Sequence, residues 1–150
     1  MQTTALTALT ALALLASGAA LQDDAPSRSE TSQEIPMQVR YLEIVTPDVD
    51  GTCAALERAH GVEFGEPVPE LGQARTTRLA DGGRIGVRAP MHAAETPVVR
   101  PYLGVHDIEA AVAAAEAAGA QIAHPPLEIP GQGTFAIYLL GGNQFGLWKD

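Results

Sequence analysis

A chain of 150 residues is long enough for one domain with a substantial core. Its net charge of −9, from 18 acidic against 9 basic side chains, supplies no basic face to neutralise phosphates, so the composition argues against nucleic acid as a partner. Hydrophobic residues make up 46% of the chain, a globular value that the first thirty residues inflate.

Ala5 to Ala20, ALTALTALALLASGAA, is apolar or small throughout. It is shorter than a comfortable membrane span of about 20 residues. It suits the apolar region of a secretory signal with small residues at a cleavage site, which predicts a signal peptide over 1–20 and export to the periplasm or beyond. MQTTALTALT lacks the usual Lys or Arg, which leaves an uncleaved membrane tether or a cytoplasmic protein as alternatives. Residues 21–36, including QDDAPSRSETSQEIP, are polar and aperiodic and read as a flexible linker. The folded domain is expected over 37–150.

YLEIV (41–45) reads as a strand that ends at Asp48, which can cap the helix that follows. Gly61 can close that helix in a left-handed conformation. Cys53 lies within it, in TCAALERA. As the only cysteine it forms no internal disulfide, and it reads as a small core residue. Three strands are predicted next, at Val62–Val68, Ala74–Ala80 and Arg84–Arg88, the last two joined by the turn DGG. The link Ala89–Pro97 follows.

The same grammar then repeats. RPYLGVHDIEAAVAAAEAAGA (100–120) echoes 41–61 at an offset of 59, with Asp107 for Asp48 and Gly119 near the helix end. Three more strands are predicted at Gln121–Ile129, Thr134–Leu140 and Gln144–Trp148, the last pair joined by GGN. Pro125, Pro126 and Pro130 restrict the first of these to a sheet edge. The fold class is α+β, two βαβββ modules in one chain, about 38–90 and 98–150.

Strand residues alternate between faces. One parity of the first and last strands is apolar: Leu42, Ile44, Ile85, Val87, Pro101, Leu103, Val105, Phe145 and Leu147. That face should lie under the helices. The other carries Tyr41, Glu43, Val45, Arg84, Gly86, Arg88, Arg100, Tyr102, Gly104, Gln144, Gly146 and Trp148. Such a mixed face is either a solvated surface, with Glu43 paired to Arg88 or Arg100, or the floor of a small-molecule cleft.

YLEIVTPDVD, PYLGVHDIEAAVAAAEAAGAQI and PPLEIPGQGTFAIYLLGGNQFGLW together resemble the vicinal oxygen chelate superfamily, which includes glyoxalase I, extradiol dioxygenases and bleomycin-resistance proteins. The resemblance spans about Val39 to Trp148. It implies paired modules whose curved mixed sheets surround a cleft. In metal-dependent members four side chains from the first and last strands of each module hold a divalent ion. Those positions fall here on Tyr41, Gly86, Arg100 and Gly146. Glycine has no side chain and arginine no lone pair, so no family-type metal site is expected. The usual DPDGN before the last strand is LLGGN here. A shift of one or two residues in this placement would make Glu43 a ligand.

The expected function is a metal-free small-molecule-binding protein. Its ligand-binding residues would be Tyr41, Glu43, Arg88, Arg100, Tyr102 and Trp148, with arginines for an anionic group and aromatic rings as walls. The partner would be a small organic ligand, and the resemblance leaves room for a homodimer. No cofactor is expected; a divalent metal is the alternative. The alternative function is a lyase, isomerase or dioxygenase, metal-dependent or using Glu43 as a base, so whether the chain is an enzyme stays open. No catalytic residue is assigned.

Overall fold

The computed structural model describes residues 37–150; the expected signal segment and linker lie outside the described residues. In chain order the elements are β1 (Val39–Val45), α1 (Val49–His60), a 3-10 turn (Pro69–Leu71), β2 (Arg75–Arg78) and β3 (Arg84–Arg88). They continue with β4 (Val98–Gly104), α2 (Ile108–Ala117), β5 (Gln121–Ile129), β6 (Gly133–Leu140) and β7 (Asn143–Lys149). All seven strands join one curved, unclosed sheet in the order β2-β3-β1-β4-β7-β6-β5. No helix among the described residues is long and apolar enough to cross a membrane.

Both helices start where an aspartate stands ready. The Asp48 carboxylate accepts from Gly51 N at 2.9 Å and the Asp107 carboxylate from Ala110 N at 3.0 Å, each satisfying a free donor of the first turn. Each helix carries the chain from one strand to the far side of the sheet, so β1 runs parallel to β3 and β4 parallel to β7. The two halves meet through antiparallel β1 and β4. In that pairing Leu42 lies directly opposite Pro101, residues that correspond at the offset of 59.

One expected strand is missing. Val62–Val68 joins no strand and bends at Glu66; only Val68 forms a bridge, to Ala74. Pro67 and Pro69 remove donors there. The segment instead sends Phe64 under α1, where it packs with Cys53 and Val87. In the second half the corresponding strand, β5, forms at the edge, as its prolines require, with register shifts around His124. These shifts absorb Pro125 and Pro126.

The convex side of the sheet holds two separate cores. Cys53 and Leu56 of α1 pack on Ile44, Ile85 and Val87. Ile108, Ala111, Val112 and Ala115 of α2 pack on Ala136, Tyr138, Phe145 and Leu147. The strip between the helices is left partly open, and Val99 on β4 is 58% exposed. The concave side is the more completely buried along β1: Tyr41, Glu43 and Val45 are buried while Leu42 and Ile44 are half-buried. A third core of Tyr41, Tyr102 and Trp148, closed over by Leu71 and Ala74, lies there.

Candidate functional site

The sheet's curvature brings the inward rows of β1, β3, β4 and β7 onto the floor of one cleft of about 680 Å³. Tyr41, Glu43, Arg88, Arg100, Tyr102 and Trp148 all line it. The link between the halves (Met91, His92, Glu95) forms part of its rim, and β5 and β6 add an apolar wall that includes Leu127, Ile129, Phe135 and Ile137. His124 stacks on Phe135 at 4.9 Å between ring centroids. A volume of this size, apolar walls and a few convergent polar groups are the ordinary make-up of a small-molecule pocket.

The charges on the floor are strongly desolvated: Glu43 is 6%, Arg88 3% and Arg100 6% exposed. Burial at this level is tolerable only with close pairing. Glu43 accepts from Arg88 Nε at 2.6 Å through one oxygen and from Arg100 NH1 through the other. Tyr102 donates its hydroxyl to the second oxygen at 3.2 Å. The solvated-face pairing of Glu43 with one arginine is thus replaced by a buried bridge to both.

Two side chains that sequence reasoning did not select complete the network. Glu95 accepts from Arg88 NH1 at 2.8 Å and from NH2 at 2.7 Å, a side-by-side carboxylate–guanidinium pair. The oxygen of Gln144 accepts from Arg100 Nε at 3.0 Å and from its NH2. Gln144 was visible by parity as a residue of the mixed face. Glu95 was not, because a glutamate in an aperiodic link carries no signal of where it folds back. The cluster's two formal positive and two formal negative charges cancel, but unevenly: Arg88 sits between two carboxylates, Arg100 between one carboxylate and a neutral amide.

The network shifts its members' acidities in opposite directions. Hydrogen bonds from Arg88 hold the Glu95 carboxyl at about 2, against the effect of its burial. Burial disfavours the Arg88 cation, but the bonds to Glu95 and the Glu43 charge outweigh it and raise that group. Burial, then the Glu43 charge, pushes both Tyr41 and Tyr102 well above the usual phenol range. Both phenols therefore act as neutral hydrogen-bonding groups at ordinary pH. Among the described residues Tyr41 Oη is the one buried side-chain polar atom with no partner. The hydroxyl is packed over the α-carbon of Gly86 with neither a partner nor solvent, a cost that the ring packing offsets.

Three aromatic rings cross the floor. Trp148 lies 5.4 Å from Tyr41 and 5.8 Å from Tyr102 between centroids. Arg84 sits 5.9 Å from the centroids of both Tyr41 and Trp148, where its charge meets the ring faces. The glycines at 86 and 146 are what let the tyrosines lie down. A Cβ at Gly86 would overlap the Tyr41 phenol, and one at Gly146 would overlap the Tyr102 ring.

A resident metal of the family type does not fit this arrangement. The four corresponding positions, Tyr41, Gly86, Arg100 and Gly146, offer one neutral phenol, and the space over both glycines is filled by rings. Moving two residues along each strand gives Glu43, Arg88, Tyr102 and Trp148 instead. That row contains one carboxylate, with both oxygens already taken by guanidinium groups. No group of three His, Cys, Asp or Glu among the described residues converges on a common point.

No protein-family model matches the sequence, and no curated protein matches it. Solved structures do match its shape. A hypothetical protein from Bacillus halodurans superposes with a TM-score of 0.63 at 11% identity, over 77% of this chain and 95% of that one. Methylmalonyl-CoA epimerase from Mycobacterium tuberculosis gives 0.57 at 14% identity, over 73% and 85%. The Streptomyces coelicolor epimerase in complex with 2-nitronate-propionyl-CoA gives 0.55 at 16%, over 75% and 96%. Methylmalonyl-CoA epimerase is a vicinal oxygen chelate protein, so the chain has the fold of that superfamily.

Proposed function

We propose that this vicinal oxygen chelate domain is a small-molecule-binding protein that works without a metal ion. The ligand lies in the 680 Å³ cleft against Tyr41, Tyr102 and Trp148, with an anionic group directed to the arginines. The observation that carries this reading is the convergence of six residues from four strands on one floor, beneath apolar walls with room above them. Arg88 and Arg100 each engage four of their five N–H groups within the protein, so each keeps an NH2 hydrogen for a guest.

The epimerase neighbours support a second reading, an isomerase that moves a proton. It would take Glu43 as the base. The geometry weighs against it, because a proton reaching Glu43 must compete with two guanidinium donors and the Tyr102 hydroxyl.

A thermal-shift screen of small carboxylates and aromatic compounds tests the first reading. Compounds that bind should raise the melting temperature of the wild type more than that of Arg100→Ala, each protein being compared with its own unliganded state. Equal shifts in both proteins would remove the arginine from the site.

A further inference from the structure

The two arginines are not equivalent as anchors. Glu43 holds the inner side of each, and what differs is the outer edge. The NH1–NH2 edge of Arg88 is closed by the Glu95 carboxylate. The Nε–NH2 edge of Arg100 is closed by a single neutral amide oxygen, that of Gln144. Both edges face the same cleft, since Glu95 and Gln144 line it with the arginines.

Exchange at the two edges differs in what it gains. An incoming anion at Arg88 replaces one carboxylate by another, with no net change in the kind of bond. It must also outcompete a tethered group whose effective concentration is on the order of millimolar. At Arg100 an anion replaces an amide oxygen. The bonds become charge-assisted, roughly twice as strong as neutral ones, and two oxygens match the two parallel N–H groups that now share one acceptor. A cation bracketed on one side only gains its second counter-charge.

We infer that the ligand's anionic group is a carboxylate that docks side-on to the Nε–NH2 edge of Arg100, displacing Gln144, and that Gln144 sets the charge specificity of the cleft. The assignment rests on the small-molecule-binding reading above. Arg88, closed by Glu95, is a fixed part of the floor. Gln144 is the second residue of β7, next to exposed Asn143 and the exposed turn Gly141–Gly142, so its side chain has solvent to swing into.

The test uses calorimetric titration of the full chain with phenylacetate and 1-naphthylacetate, each against its uncharged amide. Gln144→Glu places a permanent carboxylate on the Arg100 edge. It should weaken both acids roughly tenfold or more, the effect of losing a charge-assisted pair, and leave the amides within about twofold. Gln144→Ala frees the edge and should tighten the acids. Asn143→Asp adds the same charge one residue away, at the exposed first position of β7, and should leave the acids within about twofold, which separates local competition from general repulsion. If the amides bind but Gln144→Glu binds the acids as well as the wild type does, the assignment to Arg100 is overturned while the binding reading stands. If Asn143→Asp weakens the acids as much as Gln144→Glu, the assignment is likewise overturned. If neither acids nor amides bind any of the proteins at millimolar concentration, the assignment and the reading beneath it both fall.

Discussion

The ring of Tyr102 lies across the α-carbon of Gly146, its partner on the neighbouring parallel strand, so closely that a Cβ at 146 would run into Cγ, Cδ1 and Cε1 of the ring. Tyr41 covers Gly86 in the same manner. Gly146→Ala should therefore destabilise the fold by about 1–3 kcal/mol or more, as overpacking does in a filled core. Gly146→Glu, which puts an acid at a position where the sequence resemblance would place a metal ligand, should cost more and yield no metal site. Urea unfolding of both variants, with metal analysis of the second, checks this.

Glu43 is the shared counter-charge of two buried guanidinium groups. Glu43→Leu leaves both cations without it in a dry site, and should cost about 3–5 kcal/mol. The midpoint of urea unfolding should fall accordingly. A loss below about 1 kcal/mol, the range of exposed pairs, would mean that water reaches the floor freely.

Glu95 supplies a pH dependence whose sign follows from its lowered acidity. Its folded value of about 2 lies below the ordinary 4.5, so the folded state holds the charged form more tightly than the unfolded chain does. The stabilisation is complete above about 4.5 and is lost as the pH falls towards about 2. Glu95→Gln lacks this contribution at every pH. The stability gap between wild type and Glu95→Gln should be constant near neutrality and close through that acid window, as followed by unfolding at a series of pH values.

Purified protein should carry well under one equivalent of Zn, Mn, Fe or Ni per chain. Dialysis against a chelator should leave its melting temperature unchanged. Stoichiometric metal lost on Glu43→Ala would overturn the metal-free reading.

How much of this was legible depended on how local the signal was. Asp48 and Asp107 announced their helices because an N-cap is a contact three residues long. The alternation along β1, β3, β4 and β7 named the floor residues because a strand's two faces are fixed by its own pleat. Val62–Val68 misled because a pattern of apolar residues does not reveal whether the backbone finds a partner, and here the prolines and the pull of Phe64 beneath α1 decided the matter. Alternation alone makes the mixed face a solvated surface or a cleft floor, yet its inner rows are more buried than the apolar row under the helices. That inversion comes from Leu71 and Ala74 closing over the rings, a contact between distant segments that no periodicity encodes. Glu95 escaped for the same reason.

The pairing of Leu42 with Pro101 puts an imino acid at the middle of the seam between the halves. Gly104 N donates to Gln38 O and Val105 N to Trp148 O, so alternate residues of β4 turn towards β1 and β7, and Pro101 falls on the β7 side; its missing donor leaves the β1–β4 ladder intact. One residue along, Glu43 faces Arg100 across the same seam and ties the strands through their side chains. The ion pair thus adds a side-chain rivet to backbone stitching that the proline spares. Amide hydrogen exchange along β1 and β4 should quicken on its removal more than exchange in the edge strands β2 and β5.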